Sequence, residues 1–369
     1  MRRKAFGLAI AALMAVSLAA CATVERSAPI ARPAPRSPSV SRSTPPSPAP
    51  NAFASLPGWA DDDHAAALAA FRRACPTARD PALADACRRA AALGPVGEAQ
   101  ARRFLEANFR PEPVGEEGLL TAYFAPVYEV RETRQGEFTA PVRPRPADLP
   151  EADWTVGPGA PYAERAAIEA RPTNEAIGWM KAEDLFFLQV QGSGVLVFPS
   201  GRRAKAVFDG VNGARFRGIA APMREQGLLA DSETSGEEIR AWLAAHRGPQ
   251  ADAIMRLNPR YVFFRLAPDD GADPAGAAGL PLIPGRAVAV DLSRHALGDL
   301  IWIDAAAPAL SGAFPVYRRL TVALDTGGAI KGDARADLYL GRGPAAGLEA
   351  GRVRHTLRMY RLAPMAPAS

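Results

Sequence analysis

Residues 324–341, reading LDTGGAIKGDARADLYLG, constrain the fold more than any other part of this chain. An apolar run closes on Asp325, a glycine-rich turn follows, and a second strand-like run carries Asp337, 12 positions further on. A third aspartate, Asp291, ends another apolar run, Val288-Ala289-Val290. A carboxylate at the end of an apolar strand is stripped of water and resists ionising, so it can hold a proton near neutral pH and donate it as a general acid. Each aspartate also has a structural reading. Asp325 can cap the turn at Thr326-Gly327-Gly328 by accepting backbone N–H bonds, and Asp291 can do the same at Leu292-Ser293.

The surrounding pattern is mainly β with helices at the N-terminal side. Leu185-Phe186-Phe187-Leu188-Gln189-Val190, Val195-Leu196-Val197-Phe198 and residues 204–208, separated by Gly-Ser-Gly and Pro-Ser-Gly, read as a meander of three strands. Further short strands are expected near Ala287, Leu300, Leu320 and Arg352, and many short strands with glycine turns suggest barrels. Ser235-Gly236-Glu237-Glu238 is a capping box that opens a helix to about His246. Residues 61–107 are alanine-rich and read as two or three helices. One continuous helix would hold Cys75 and Cys87 about 18 Å apart, beyond disulfide reach. Pro76 and Pro81 break it, so a hairpin can join the two thiols, and two unpaired core thiols are the alternative. Residues 58–369 exceed the size at which one core stops growing, which makes two domains the expectation.

At the N-terminus, Arg2, Arg3 and Lys4 precede an apolar run that ends in Leu18-Ala19-Ala20-Cys21. Residues 1–20 read as a secretory signal, too short for a bilayer span. The tetrapeptide resembles a bacterial lipobox, which implies cleavage before Cys21, lipidation of its thiol and an anchored protein. Ala22 stands where an aspartate would retain the protein at the inner membrane, so the expected location is the periplasmic side of the outer membrane. An ordinary signal with an incidental cysteine is the alternative. Residues 21–57, dense in proline and serine, read as an extended tether. The formal charge of +5 falls to +2 without Arg2, Arg3 and Lys4, and the tether carries a net +3, leaving the rest near neutral. No basic stripe marks a nucleic-acid partner.

Asp291, the run Asp325-Thr326-Gly327-Gly328-Ala329-Ile330-Lys331-Gly332 and Asp337-Leu338-Tyr339 resemble the three-aspartate region of the membrane-bound lytic murein transglycosylase A family. Thr121-Ala122-Tyr123-Phe124-Ala125-Pro126, Thr133-Arg134-Gln135-Gly136-Glu137-Phe138, Gln189-Val190-Gln191-Gly192-Ser193-Gly194 and Asn258-Pro259-Arg260-Tyr261-Val262-Phe263-Phe264 resemble further family landmarks in family order. The resemblance implies a double-psi β-barrel catalytic domain from residues 58–125 and 272–369, with a second β-barrel inserted over residues 126–271. It implies peptidoglycan glycan strands as substrate and a lytic transglycosylase, which needs no cofactor. Asp337 would protonate the oxygen leaving the β-1,4 bond between N-acetylmuramic acid and N-acetylglucosamine. It would then take the proton of the sugar's own 6-hydroxyl as that group closes a 1,6-anhydro ring. Asp325 and Asp291 would orient the site. Thr121, Tyr123, Gln189, Gln191 and Ser193 are candidates for holding sugars. Asp333, in the four residues between Gly332 and Asp337, is the rival acid. Proteins of a cell-wall synthesis complex are candidate partners.

Other chemistries fit less well. His64, His246, His295 and His355 are scattered and no paired cysteines flank them, which argues against a metal site. Ser193 sits in QGSG rather than GxSxG. Asp325-Thr326-Gly327 matches the Asp-Thr-Gly loop of aspartic proteases, but those enzymes need two such loops sharing a proton and one is present. A non-catalytic peptidoglycan-binding lipoprotein is the remaining rival.

Overall fold

The computed structural model describes residues 52–150, 162–230, 235–307 and 314–365. The signal, Cys21 and most of the tether lie outside the described residues. Three helices come first, α1 (His64–Ala74), α2 (Pro81–Ala92) and α3 (Glu98–Asn108). Asp63 and Asp80 cap the first two with side-chain oxygens, and Pro81 opens α2 where its missing N–H costs nothing. A single turn at Cys75–Thr77 separates them, and Cys75 and Cys87 are joined by a disulfide.

The long strand β1 (Phe109–Ala125) then enters a barrel that the chain leaves and re-enters. Excursion elements are β2 (Val127–Glu129), β3 (Ala140–Val142), α4 (Arg165–Ala170), β4 (Gly178–Met180), α5 (Ala182–Gln191), β5 (Gly194–Val197), β6 (Arg203–Val211), α6 (Ala220–Glu225), α7 (Gly236–Ala245), α8 (Pro249–Met255) and β7 (Val262–Pro268). The return supplies β8 (Ala287–Ala289), β9 (Leu300–Ala306), β10 (Val316–Asp325), β11 (Arg335–Arg342), α9 (Gly343–Ala350) and β12 (Arg354–Pro364).

Strands β1-β11-β8-β10-β9-β12 close a six-stranded barrel. Two of its pairs, β1 with β11 and β8 with β10, are parallel and join segments distant in sequence. Alternation explains its two cores. Leu120, Val288, Ile301, Ile303, Leu338 and Leu357 fill one, while Trp302, Leu320, Val322 and Tyr339 face the other, where Trp59, Leu68, Phe71 and Leu105 of the helical segment cover them. Strand β9 is therefore apolar almost throughout rather than alternating. Gly118 lies where β1 bulges, and a Cβ there would stand 1.6 Å from Ala334 O, so only glycine lets β11 approach.

The inserted domain pairs β2-β5-β6-β7 in one sheet and β3 with β4 in a ribbon. Single contacts join the two into a ring: Phe264 N donates to Arg143 O (3.0 Å) beside β3, and Arg131 and Trp179 exchange backbone bonds (2.9 and 2.8 Å) between the end of β2 and β4. Val130, Val142, Met180, Leu196, Ala206 and Phe264 pack inside.

One expected strand is a helix. Residues 185–190 form most of α5, and the Gly-Ser-Gly read as a hairpin turn is its C-terminal cap, Gly192 at φ 84° with its N–H on Leu188 O. A short apolar run does not reveal its period, but Glu183 and Asp184 in the first turn and glycine after the last are helix-end signals. Both acids are buried and held by Arg247 and Arg240. Strands β5 and β6 pair antiparallel, and the capping box at Ser235 opens α7.

Candidate functional site

Register builds the site. Asp337 of β11 stands opposite Thr121 of β1 on one side and Ala289 of β8 on the other, and Ala289 is also the partner of Asp325 on β10. The row Thr121, Asp337, Ala289, Asp325 thus crosses four adjacent strands, with the aspartate Cα atoms roughly 10 Å apart across two strand spacings. A shift in pairing between Ala323 and Asp325 marks the end of β10, where the alternation of the strand gives way to the glycine turn.

All three aspartates are enclosed, and their hydrogen-bond donors set them apart. Asp291, 4% exposed, accepts from Gly332 N (2.9 Å), Ser293 N (3.1 Å), Ser293 Oγ (2.9 Å) and Lys331 Nζ (3.4 Å). Burial pushes its pKa up, but these donors outweigh it and bring it down to about 2. Asp325 accepts at Oδ2 from Tyr123 OH (2.7 Å) and at Oδ1 from Ala277 N and Thr326 N (both 2.9 Å). Burial raises its pKa, and the three donors oppose the rise. Asp337, half-buried, accepts from Thr121 Oγ1 at Oδ1 and from no backbone N–H among the described residues. Burial raises its pKa against the Thr121 bond and the Arg335 charge, and the Asp325 carboxylate adds to the rise. Burial raises the pKa of both carboxyls of the pair; three donors oppose the rise at Asp325, and the Thr121 hydroxyl and the Arg335 charge oppose it at Asp337.

Thr121 and Tyr123, expected to hold sugars, spend their hydroxyls on Asp337 and Asp325. Gln189, also expected to hold sugars, is 4% exposed inside the insert, with Nε2 donating to Val262 O (3.2 Å), because α5 turns its face inward. Gln191 and Ser193 lie where α5 meets β5, and Gln191 Oε1 accepts from Phe124 N (3.2 Å) beside Tyr123. Asp333, the rival acid, is exposed and pairs with Arg294 (3.3 Å), while its carbonyl accepts from His295 Nε2 (2.7 Å), which therefore carries a hydrogen. Sequence reading missed three contributors. Arg335 sits two positions before Asp337, a spacing that a strand assignment makes visible. Asp273, which accepts from Tyr339 OH (2.7 Å), and the Ala277 N–H come from the loop before β8 and carry no sequence signal. Among the described residues no group of acids, histidines and cysteines could hold a metal ion.

Residues 119–265 match the MltA specific insert domain and residues 286–363 match the 3D domain. A lytic murein transglycosylase of Agrobacterium tumefaciens, of known crystal structure, is 32% identical and superposes with TM-score 0.73 over 85% of this chain and 96% of that one. The chain belongs to the membrane-bound lytic murein transglycosylase A family. Its relative from Vibrio cholerae is 33% identical over 252 residues, 66% of this chain and 65% of that protein. The family protein of Escherichia coli, solved with bound chitohexaose, is 26% identical and superposes with TM-score 0.65 over 82% of this chain and 90% of that one. The closed barrel with its second, inserted β domain is the architecture that the family resemblance implied.

Proposed function

We propose that this protein cleaves the β-1,4 bond between N-acetylmuramic acid and N-acetylglucosamine in peptidoglycan without consuming water, leaving a 1,6-anhydromuramic acid end. The observation that carries the reading is the asymmetry of the carboxylate pair: two half-buried aspartates, Asp337 with a single donor and Asp325 with three. Asp337 is the general acid that protonates the leaving oxygen and, once ionised, the base that takes the 6-hydroxyl proton as that oxygen attacks C1. Asp325 has donors on both oxygens, which suits it to holding the adjacent turn and an ionised charge rather than activating water. The nucleophile is part of the substrate, so positioning replaces a second catalytic carboxylate and lowers the barrier by several kcal/mol. Tyr123 and Thr121 position the two carboxylates, Asp291 secures the loop before β11, and Gln191 and Ser193 are left to meet sugars at the insert's edge. No hydrogen bond joins Asp325 to Asp337 among the described residues, which argues against a proton-sharing protease dyad.

The relatives are named membrane-bound, and the same association for this chain is part of the proposal. Lipid on Cys21 anchors it to the periplasmic side of the outer membrane, with residues 21–57 as tether. Incubation of the purified protein with cell-wall sacculi in ¹⁸O-labelled water tests the chemistry. Released muropeptides one water lighter than hydrolytic ends, with unlabelled glycan termini, are expected. Labelled reducing ends would overturn the reading, as would the absence of any released product.

A further inference from the structure

The insert lays one guanidinium on the aspartate turn. Arg260 lies between α8 and β7, its N–H donating to Asn258 Oδ1 (3.2 Å) and its carbonyl accepting from Arg165 Nη2 (2.6 Å). Its side chain reaches the barrel at Gly328, three residues past Asp325, where a Cβ would stand 1.7 Å from Arg260 Nη1 and 3.7 Å from Phe216 Cβ. Some other enclosed arginines have acids, Arg165 with Glu169, Arg286 with Asp62 and Arg342 with Asp269, and Arg335, which has no ion pair among the described residues, donates to the carbonyls of Leu119 and Ala336. Among the described residues Arg260 has neither an ion pair nor a hydrogen bond from its guanidinium, and only burial acts on its pKa, lowering it. Arg215 and Arg217, exposed in the loop that carries Phe216, add two cations in no ion pair among the described residues. An enclosed guanidinium without a counter-charge is unfavourable until a ligand brings the anion, and its planar fork fits a carboxylate.

The two sugars of the glycan strand differ in the lactyl ether on N-acetylmuramic acid, which carries a carboxylate directly or through an acidic peptide. We propose that Arg260, beside the Gly327-Gly328 turn, binds that carboxylate and so selects muramoyl-containing glycan over plain N-acetylglucosamine chains. The inference rests on the glycan reading above and deepens it. Arg260 acts on binding, at a distance from the acid Asp337, and the flanking Arg215 and Arg217 draw the negative substituent towards it.

Calorimetry on the full chain with Asp337→Asn, which stops turnover, tests this against five tetrasaccharides: peptide-bearing muramoyl glycan, the same glycan with a free lactyl carboxylate, each of these with its carboxylates capped as methyl amides, and chitotetraose. Capping should weaken binding about tenfold or more, the loss of one charge-assisted contact, and the uncapped ligand that shows the loss identifies which carboxylate is read. Arg260→Gln should weaken the uncapped ligand to the same level while leaving capped glycan and chitotetraose within about twofold. Gly328→Ala, whose methyl displaces Nη1, should reproduce the loss with the charge retained. The capped ligands need no variant, so a misfolded Arg260→Gln leaves the test standing. Capping without effect would overturn the inference and leave the glycan reading intact, and so would equal weakening of every ligand by Arg260→Gln. Failure to bind any glycan would overturn both.

Discussion

Burial gives Asp337 the raised pKa that the proposed general acid needs, and single substitutions test that role. Asp337→Asn keeps shape and the Thr121 contact but cannot donate or retake a proton, so the rate of muropeptide release should fall on the order of 10²–10⁴-fold with the fold intact by circular dichroism. Asp333→Asn, at the exposed pair with Arg294, should stay within about twofold of the parent, since surface pairs contribute little. The opposite outcome would move the acid to the turn. Burial raises the pKa of Asp337, and a general acid works only while protonated, so activity should fall as pH rises through that raised value. The Thr121 bond stabilises the carboxylate form. Thr121→Val removes it, raises the pKa further and should move the basic limb of the pH–rate profile to higher pH. A limb that stays put or moves down would show that another group sets it.

At the scale of elements, Asp291 belongs to the loops that meet at the end of β8. It accepts from Gly332, Ser293 and Lys331, so the turn leading into β11 is tied to the turn that follows β8. Its folded pKa of about 2 lies below the unfolded value. The stability it contributes is therefore fully present above about pH 4, the ordinary aspartate range, and is lost as pH falls towards about 2. Asp291→Asn should cost about 2 kcal/mol in urea unfolding at neutral pH and flatten the stability profile between those limits. An unchanged profile would mean that Asp291 does not hold the loop as a carboxylate.

Across the whole molecule, buried charges fasten the parts to one another. Asp62, ahead of α1, accepts from Leu320 N (2.9 Å) of β10 and pairs with Arg286 (2.7 Å), which docks the helical segment on the barrel. Asp269 accepts from Arg203 of β6 and from Arg342 of β11, bridging the insert to the barrel, and those donors hold its pKa below the ordinary range despite burial. Every residue of the proposed site lies after residue 52 in the sequence, and the proposed lipid site, Cys21, lies before it. Cys21→Ser should move the protein from the membrane pellet to the soluble periplasmic fraction without changing its activity on soluble glycan. Unchanged fractionation would refute the lipid anchor.

Much of the site could be read from residues alone. Strand ends bearing aspartates, the Gly327-Gly328 turn, the broken helix around Cys75 and Cys87, and the capping box at Ser235 are local signals, in which neighbours in sequence fix the backbone. Three features needed the folded chain. Residues 185–190 are too short an apolar run to declare a period, and packing made them helix α5, which buried Gln189. The pairing of Thr121 with Asp337 and of Ala289 with both Asp325 and Asp337 depends on strands up to 216 residues apart, parallel for β1 with β11 and β8 with β10 and antiparallel for β8 with β11, joined by register rather than sequence. The ranking of three aspartates by donors, including the unforeseen Ala277 N–H, also arises only in three dimensions, because a carboxylate's proton affinity is set by burial and hydrogen bonds that distant segments supply.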